Sequence, residues 1–202
     1  MAVASGQSNF KRLNFEVGGG LGIGKGAVGK FVGGSYHGVA GGGLSLSRMI
    51  GFDGEYMYYG LPLKKSVIQN QFLLPGATGH VQSVTLNGIV TAPLQGRWGA
   101  YGIGGVGWYQ RSVSNRSEFL AAGTPCQPAW IWWDLTCVNG VISPAQTLTS
   151  RTKDAGGFNF GGGVTYRLHH PHAKLYLEGR YHRAYHSDVQ TTFIPVTVGL
   201  RW

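Results

Sequence analysis

The residues from Gly20 to Lys30 read GLGIGKGAVGK, and their types and spacing could hold a phosphate. Gly24, Gly29 and Lys30 match GxxxxGK, and Gly22, Gly24 and Ala27 match the dinucleotide pattern GxGxxG/A. Either loop works only when a helix follows, because the helix N-terminus and its free amides hold the anion. Here Lys30 runs into FVGGSYHGVAGGG, which no helix tolerates. Phe31 also stands where a magnesium-binding hydroxyl belongs. The stretch reads better as a strand end entering a loop, and no nucleotide cofactor is expected.

Other chemistry is weighed the same way. His169, His170, His172, His182 and His186 cluster late in the chain. His182 and His186 share a strand face but lie about 13 Å apart at ~3.3 Å per residue, too far to share a metal. His169, His170 and His172 sit in a tight turn that could touch a metal, but a polar turn is the plainer reading. His80 and Ser83 could serve a lipid-directed hydrolase or acyltransferase, yet at that spacing one does not face the other, and no GxSxG is present. No catalytic residue, metal or cofactor is assigned, and the chain is not expected to be an enzyme.

The elements that carry these residues are strands. Glycine makes up 35 of 202 residues, more than twice the usual ~7%. Charged residues are 12%, about half of the ~25% typical of a soluble domain. Low charge, much glycine and 12% aromatic content suit a β-protein that does not show water an ordinary surface. The net charge of +9 comes from scattered residues, adjacent in Lys11-Arg12 and Lys64-Lys65. That scatter argues against a nucleic-acid partner and for solvated loops and lumen charges, with attraction to anionic lipid headgroups as a third alternative. No apolar run approaches the ~18–20 residues of a membrane helix. MAVASGQSNFKRL lacks the apolar core of a signal peptide, although Ala2-Val3-Ala4 resembles the small-residue end of a cleavage site.

Period-two alternation is the dominant signal. Leu13, Phe15, Val17, Leu21 and Ile23 share one face, with Asn14, Glu16, Gly18, Gly20 and Gly22 on the other. The pattern recurs around Ala40–Ser47, Ile50–Tyr58, Ser83–Thr91, Gly99–Arg111, Phe158–Tyr166, Leu175–Tyr185 and Ile194–Trp202. In the fifth segment the phase slips between Ile103 and Val106, which predicts a bulge at Gly104-Gly105. Short connections near Arg48, 93–98 and 168–173 oppose longer ones at 25–34, 61–79 and 112–155, with a short last one at 187–190. An even number of such segments, with short turns at one end and longer loops at the other, is the pattern of a transmembrane barrel. The polar face is too small and too charged to form a dry core, so the apolar face is sent to lipid.

The stretches LNFEVGGGLGIG, IGFDGEYMYYGL, YGIGGVGWYQRSV, GGFNFGGGVTYRL and KLYLEGRY resemble the OmpA/OmpX-type eight-stranded outer-membrane barrels, especially the outer membrane protein β-barrel domain family. The resemblance implies an all-β, eight-stranded antiparallel up-and-down transmembrane β-barrel, spanning 12–202 after an N-terminal segment 1–11. It also implies that Ile194, Val196, Val198, Leu200 and Trp202 resemble the C-terminal signal read by the barrel-assembly machinery, with Trp where Phe is commonest.

In such a barrel Glu16, Asp53, Glu55, Arg167, Glu178, Arg180 and Arg201 point into one lumen as a charge network. Cys126 and Cys137 fit a disulfide in an oxidising compartment, with two unpaired thiols as the alternative. They bracket Trp130, Trp132 and Trp133, a recognition or self-association surface if the rings are not packed on their own loop or in an interfacial belt. Asn139-Gly140 predicts that this loop rises as a hairpin. The expected role is a bacterial outer-membrane structural or surface-interaction protein with a filled lumen. Its partners would be outer-membrane lipid, lipopolysaccharide and the assembly machinery. Alternatives are a narrow porin for small solutes and an extracellular oligomer or filament assembled through loops and edges.

Overall fold

A computed structural model describes residues 13–25, 34–62, 76–116, 127–131, 134–138, 147–169, 173–186 and 190–202. Eight strands form the barrel wall: β1 (Leu13–Lys25), β2 (Ser35–Ser45), β3 (Ile50–Pro62), β4 (Gly76–Pro93), β5 (Trp98–Arg116), β8 (Thr147–Arg167), β9 (Lys174–Ala184) and β10 (Thr191–Arg201). Each pairs antiparallel with its neighbour along the chain, and β1 pairs with β10 from Glu16↔Arg201 to Lys25↔Thr192, which closes the barrel. Between β5 and β8, β6 (Gln127–Ile131) and β7 (Asp134–Val138) form a separate hairpin. Among the described residues no helix is long and apolar enough to cross a membrane; a barrel crosses with strands instead.

Alternation fixes the two faces. Phe15, Val17, Leu21, Leu86, Val106, Phe160, Val164, Leu177, Val198 and Leu200 are exposed on the outside. Glu16, Asp53, Glu55, Asn87, Asn159, Glu178 and Arg180 are buried inside. Outward aromatics gather toward both ends. Phe15, Trp202, Phe52, Trp98 and Tyr166 sit near the termini, and Tyr36, Tyr56, Trp108, Tyr181 and Tyr185 lie toward the loops. Paired aromatic girdles around an apolar band are what a membrane barrel presents to its two interfaces. Backbone bonds between Phe15 and Trp202, both at 3.0 Å, tie the two ends of the chain at the terminal rim.

The structure corrects several sequence expectations. β5 runs through Gly104-Gly105 in register on both sides, and its one register shift lies at Asn115/Arg116. The phase slip has another cause: Tyr101 and Ile103 are large residues on the lumen face, while Val106 and Trp108 face out. β4, β5 and β8 also run further toward the loops than their alternation shows, starting at Gly76, ending at Arg116 and starting at Thr147. At ~3.3 Å per residue the 19 residues of β5 span roughly 60 Å, against an apolar band of ~25 Å. Beyond that band outward positions such as Ser112, Thr152 and Asp154 meet water while Val113 and Ala155 stay buried within, so the lipid-facing apolar row that marks a strand is lost there. The β6–β7 hairpin, which the sequence did not signal, turns between Ile131 and Asp134. Asn139-Gly140, Trp132, Trp133 and Cys126 lie outside the described residues.

Candidate functional site

The interior is built in layers. Nearest the termini, β1 and β10 place Glu16 opposite Arg201. Arg201 Nε donates to Glu16 Oε2 at 2.8 Å, and its Nη2 donates to the same oxygen. The Arg201 guanidinium also lies over the rings of Tyr101 and Tyr176, at 4.8 and 5.2 Å from their centroids, where it meets the negative face of each ring.

One step deeper, alternation along β9 turns Glu178, Arg180 and His182 inward together. Arg180 spans the lumen. Its two terminal nitrogens donate to both carboxylate oxygens of Glu55 on β3, and its Nε donates to Glu178. Asn87 Nδ2 donates to Glu55 at 2.6 Å, Asn159 Nδ2 donates to Asn87 at 2.9 Å, and the Tyr101 hydroxyl donates to Glu178 at 2.7 Å. A buried guanidinium is tolerable only with its donors matched in this way. Glycine makes room for the bulk. A Cβ on Gly163 would come within 2.8 Å of the Tyr101 ring.

Toward the loops an aromatic layer follows. Phe193 stacks on His182 with centroids 4.9 Å apart, and Tyr59 and Tyr109 meet the same Phe193 ring at 4.5 and 6.5 Å. The Tyr109 hydroxyl is 3.1 Å from His182 Nδ1, and His37 Nε2 is 2.8 Å from the Thr197 hydroxyl. Beyond it Arg111 Nη1 donates to the Thr191 hydroxyl at 3.0 Å, with His186 Nδ1 3.4 Å from that oxygen.

Space remains beside these layers. A vestibule of about 430 Å³ opens at the terminal end, with Glu16, Asp53, Tyr101, Arg167, Lys174 and Arg201 among its walls. Next to Glu55, Arg180 and His182 a pocket of about 10 Å³ remains, roughly the room for one water.

Six of the seven charges expected in the lumen lie in or beside the ionic layer: Glu16, Asp53, Glu55, Glu178, Arg180 and Arg201. Arg167 has the inward parity but stands exposed in the vestibule wall at the mouth. His182 and His186 are both buried on the inner face, each beside a hydroxyl rather than each other. His169 is exposed, with Nδ1 3.5 Å from Arg97 Nη2, while His170 and His172 lie outside the described residues. His80 stacks on Tyr58, with centroids 5.3 Å apart, whereas Ser83 is buried inside. The pair therefore cannot act together. Trp130 lies on β6 opposite Leu135, and Cys137 on β7 opposite Pro128. Ile194, Val196, Val198 and Leu200 follow the outward parity of β10, and Trp202 ends the run. Among the lumen residues not singled out from the sequence are His37, Tyr59, Tyr109 and Phe193. Their signal is parity alone, since each shares it with the polar residues of its strand.

The comparisons agree with this geometry. The family model described as outer membrane protein beta-barrel domain matches residues 1–201. Among solved structures the chain is similar to Neisserial surface protein A, at 11% identity and TM-score 0.64 over 95% of this chain and 96% of that one. It is similar to a major outer membrane protein from Thermus thermophilus, at 11% identity and TM-score 0.57 over 94% and 98%. It is also similar to Ail, the attachment invasion locus protein of Yersinia pestis, at 12% identity and TM-score 0.50 over 94% and 97%. At such identities the likeness is one of fold. No curated protein matches the chain. With a closed eight-stranded wall, an apolar outside, a polar inside and a family match along nearly its whole length, the chain belongs to the outer membrane protein beta-barrel domain family.

Proposed function

We propose that the protein resides in a bacterial outer membrane as a structural or surface-interaction barrel whose lumen passes no solute. The observation that carries this reading is Arg180, locked between Glu55 and Glu178 beneath the layer of Tyr59, Tyr109 and Phe193. A solute entering the vestibule meets first the Arg201–Glu16 pair and then this layer, next to a space of about 10 Å³. Moving Arg180 aside would strip buried charges of their partners. The partners we assign are the lipid around the apolar band, lipopolysaccharide at the loop end, and the assembly machinery at Ile194, Val196, Val198, Leu200 and Trp202. The names of two similar barrels, a surface protein and an attachment protein, are in keeping with a surface role. The purified protein in a planar bilayer is expected to give a step-free current record. Regular unitary steps at neutral pH would instead support the narrow porin.

One observation favours a second reading, assembly through strand edges. β8 pairs with β5 as far as Thr147, while its backbone bonds toward the β9 side begin at Gly156, which accepts from Tyr185 N. Among the described residues the stretch 147–152 is laddered to β5 alone, and such edges accept added strands. Sedimentation without detergent distinguishes this reading, because a loop-and-edge assembly would pellet as ordered oligomers.

A further inference from the structure

One carboxylate oxygen from each of Glu16, Asp53 and Glu55 lies within 4.8 Å of the other two. Glu16 is on β1 and the other two are on β3, with β2 running between them. They can meet because β2 has no side chain there. Gly41 pairs with both Glu16 and Glu55, and Gly43 pairs with Asp53. A Cβ on Gly41 would come within 2.9 Å of Glu55 Cγ and 3.2 Å of Glu16 Cγ, and one on Gly43 within 2.8 Å of Asp53 Oδ1.

The arginines serve only part of this group. Arg201 binds Glu16 through Oε2, and Arg180 is shared between Glu55 and Glu178. Glu16 Oε1 and Asp53 Oδ2 are buried without a hydrogen-bond partner, in side chains of residues that are 4% and 5% exposed. Four carboxylates in this layer thus face two guanidiniums, which leaves two negative charges uncompensated. The cations of the vestibule rim, Arg48, Arg167 and Lys174, stand further out toward water.

We propose that Glu16, Asp53 and Glu55 hold a divalent, oxygen-seeking cation at the floor of the vestibule. Buried carboxylates cannot remain charged without a counter-ion. A proton shared between two of them removes one of the two excess charges. A dication that takes one oxygen from each acid removes both. Calcium-class cations bind carboxylate oxygens at ~2.3–2.6 Å and complete their shell with water. The vestibule, walled by Glu16 and Asp53, supplies that water and the way in. The site would clamp β1 to β3 across β2. It is separate from the question of conductance, because a conducting barrel could still hold the ion.

The test uses the full chain refolded in detergent and stripped with a chelator. Calcium chloride is titrated by calorimetry, with Asp53→Asn and, as a control at an exposed acid toward the loops, Asp154→Asn. The expected result is one ion per barrel, affinity weakened at least about tenfold by Asp53→Asn, and no change with Asp154→Asn. Should Asp53→Asn fail to refold, manganese is bound to the wild type and followed by electron paramagnetic resonance. One manganese per barrel, displaced by calcium, supports the site. No saturable binding to the wild type, or binding that Asp53→Asn leaves intact, overturns it.

Discussion

Arg180 is the side chain on which most of the interior depends. It is buried, and it binds Glu55 and Glu178 from strands on different sides of the barrel. Arg180→Ala would leave both acids without their guanidinium, and truncating one partner of a buried pair costs ~3–5 kcal/mol. Urea unfolding of the refolded barrel in lipid vesicles should show a loss of that size, and a loss under about 1 kcal/mol would mean that the acids are compensated another way. The charges themselves were readable in the sequence, since alternation assigns Glu16, Glu55, Glu178 and Arg180 to one face. Their partners were not. Periodicity gives the face of a residue but not its level along the axis, and it cannot show that Glu55 meets a residue from the opposite wall. For the same reason the convergence of Glu16 and Asp53 beside Gly41 is invisible in linear spacing. Tyr59, Tyr109 and Phe193 escaped because large rings on the polar parity look like interruptions of the pattern.

Among the strands, β10 shows how alternation was legible and where it stops. Val196, Val198 and Leu200 face lipid while Thr197 faces the lumen, and that much follows from period two. Lipid-facing positions near mid-membrane tolerate charge poorly, so Val198→Arg should destabilise the barrel by ~2–4 kcal/mol in vesicles. Refolding of this variant within about 0.5 kcal/mol of wild type would place Val198 in water or against protein. β4, β5 and β8 teach the complementary lesson. Their membrane portions were readable, but the segments 76–79, 112–116 and 147–155 read as loop. Those segments are held by ladder bonds to each other, with Val113 and Ala155 buried inward and Ser112, Thr152 and Asp154 outward, so no lipid-facing apolar row marks them as strand. The β6–β7 hairpin closes between Ile131 and Asp134, a turn that no dipeptide signal announced, while Asn139-Gly140 lies outside the described residues.

The molecule as a whole inverts the arrangement of a soluble protein: the apolar surface is on the outside and the charges are within. This inversion explains the low charge content, since lipid replaces the polar shell that water would demand, and the glycine content, since a narrow lumen filled with Arg, Glu and Tyr needs neighbours without side chains. Both chain ends meet at one rim through Phe15 and Trp202 because the wall has an even number of antiparallel strands and its last strand closes on its first. The claim is tested most directly by nitroxide labels at three successive positions, Val196, Thr197 and Val198, in a Cys126→Ser, Cys137→Ser background reconstituted in lipid vesicles. Val198 is 51% exposed outside and Thr197 5% exposed inside. Collision with oxygen, which concentrates in lipid, should be high at 196 and 198 and low at 197. High oxygen collision at 197 with low values at 196 and 198 would turn the barrel inside out and contradict the account.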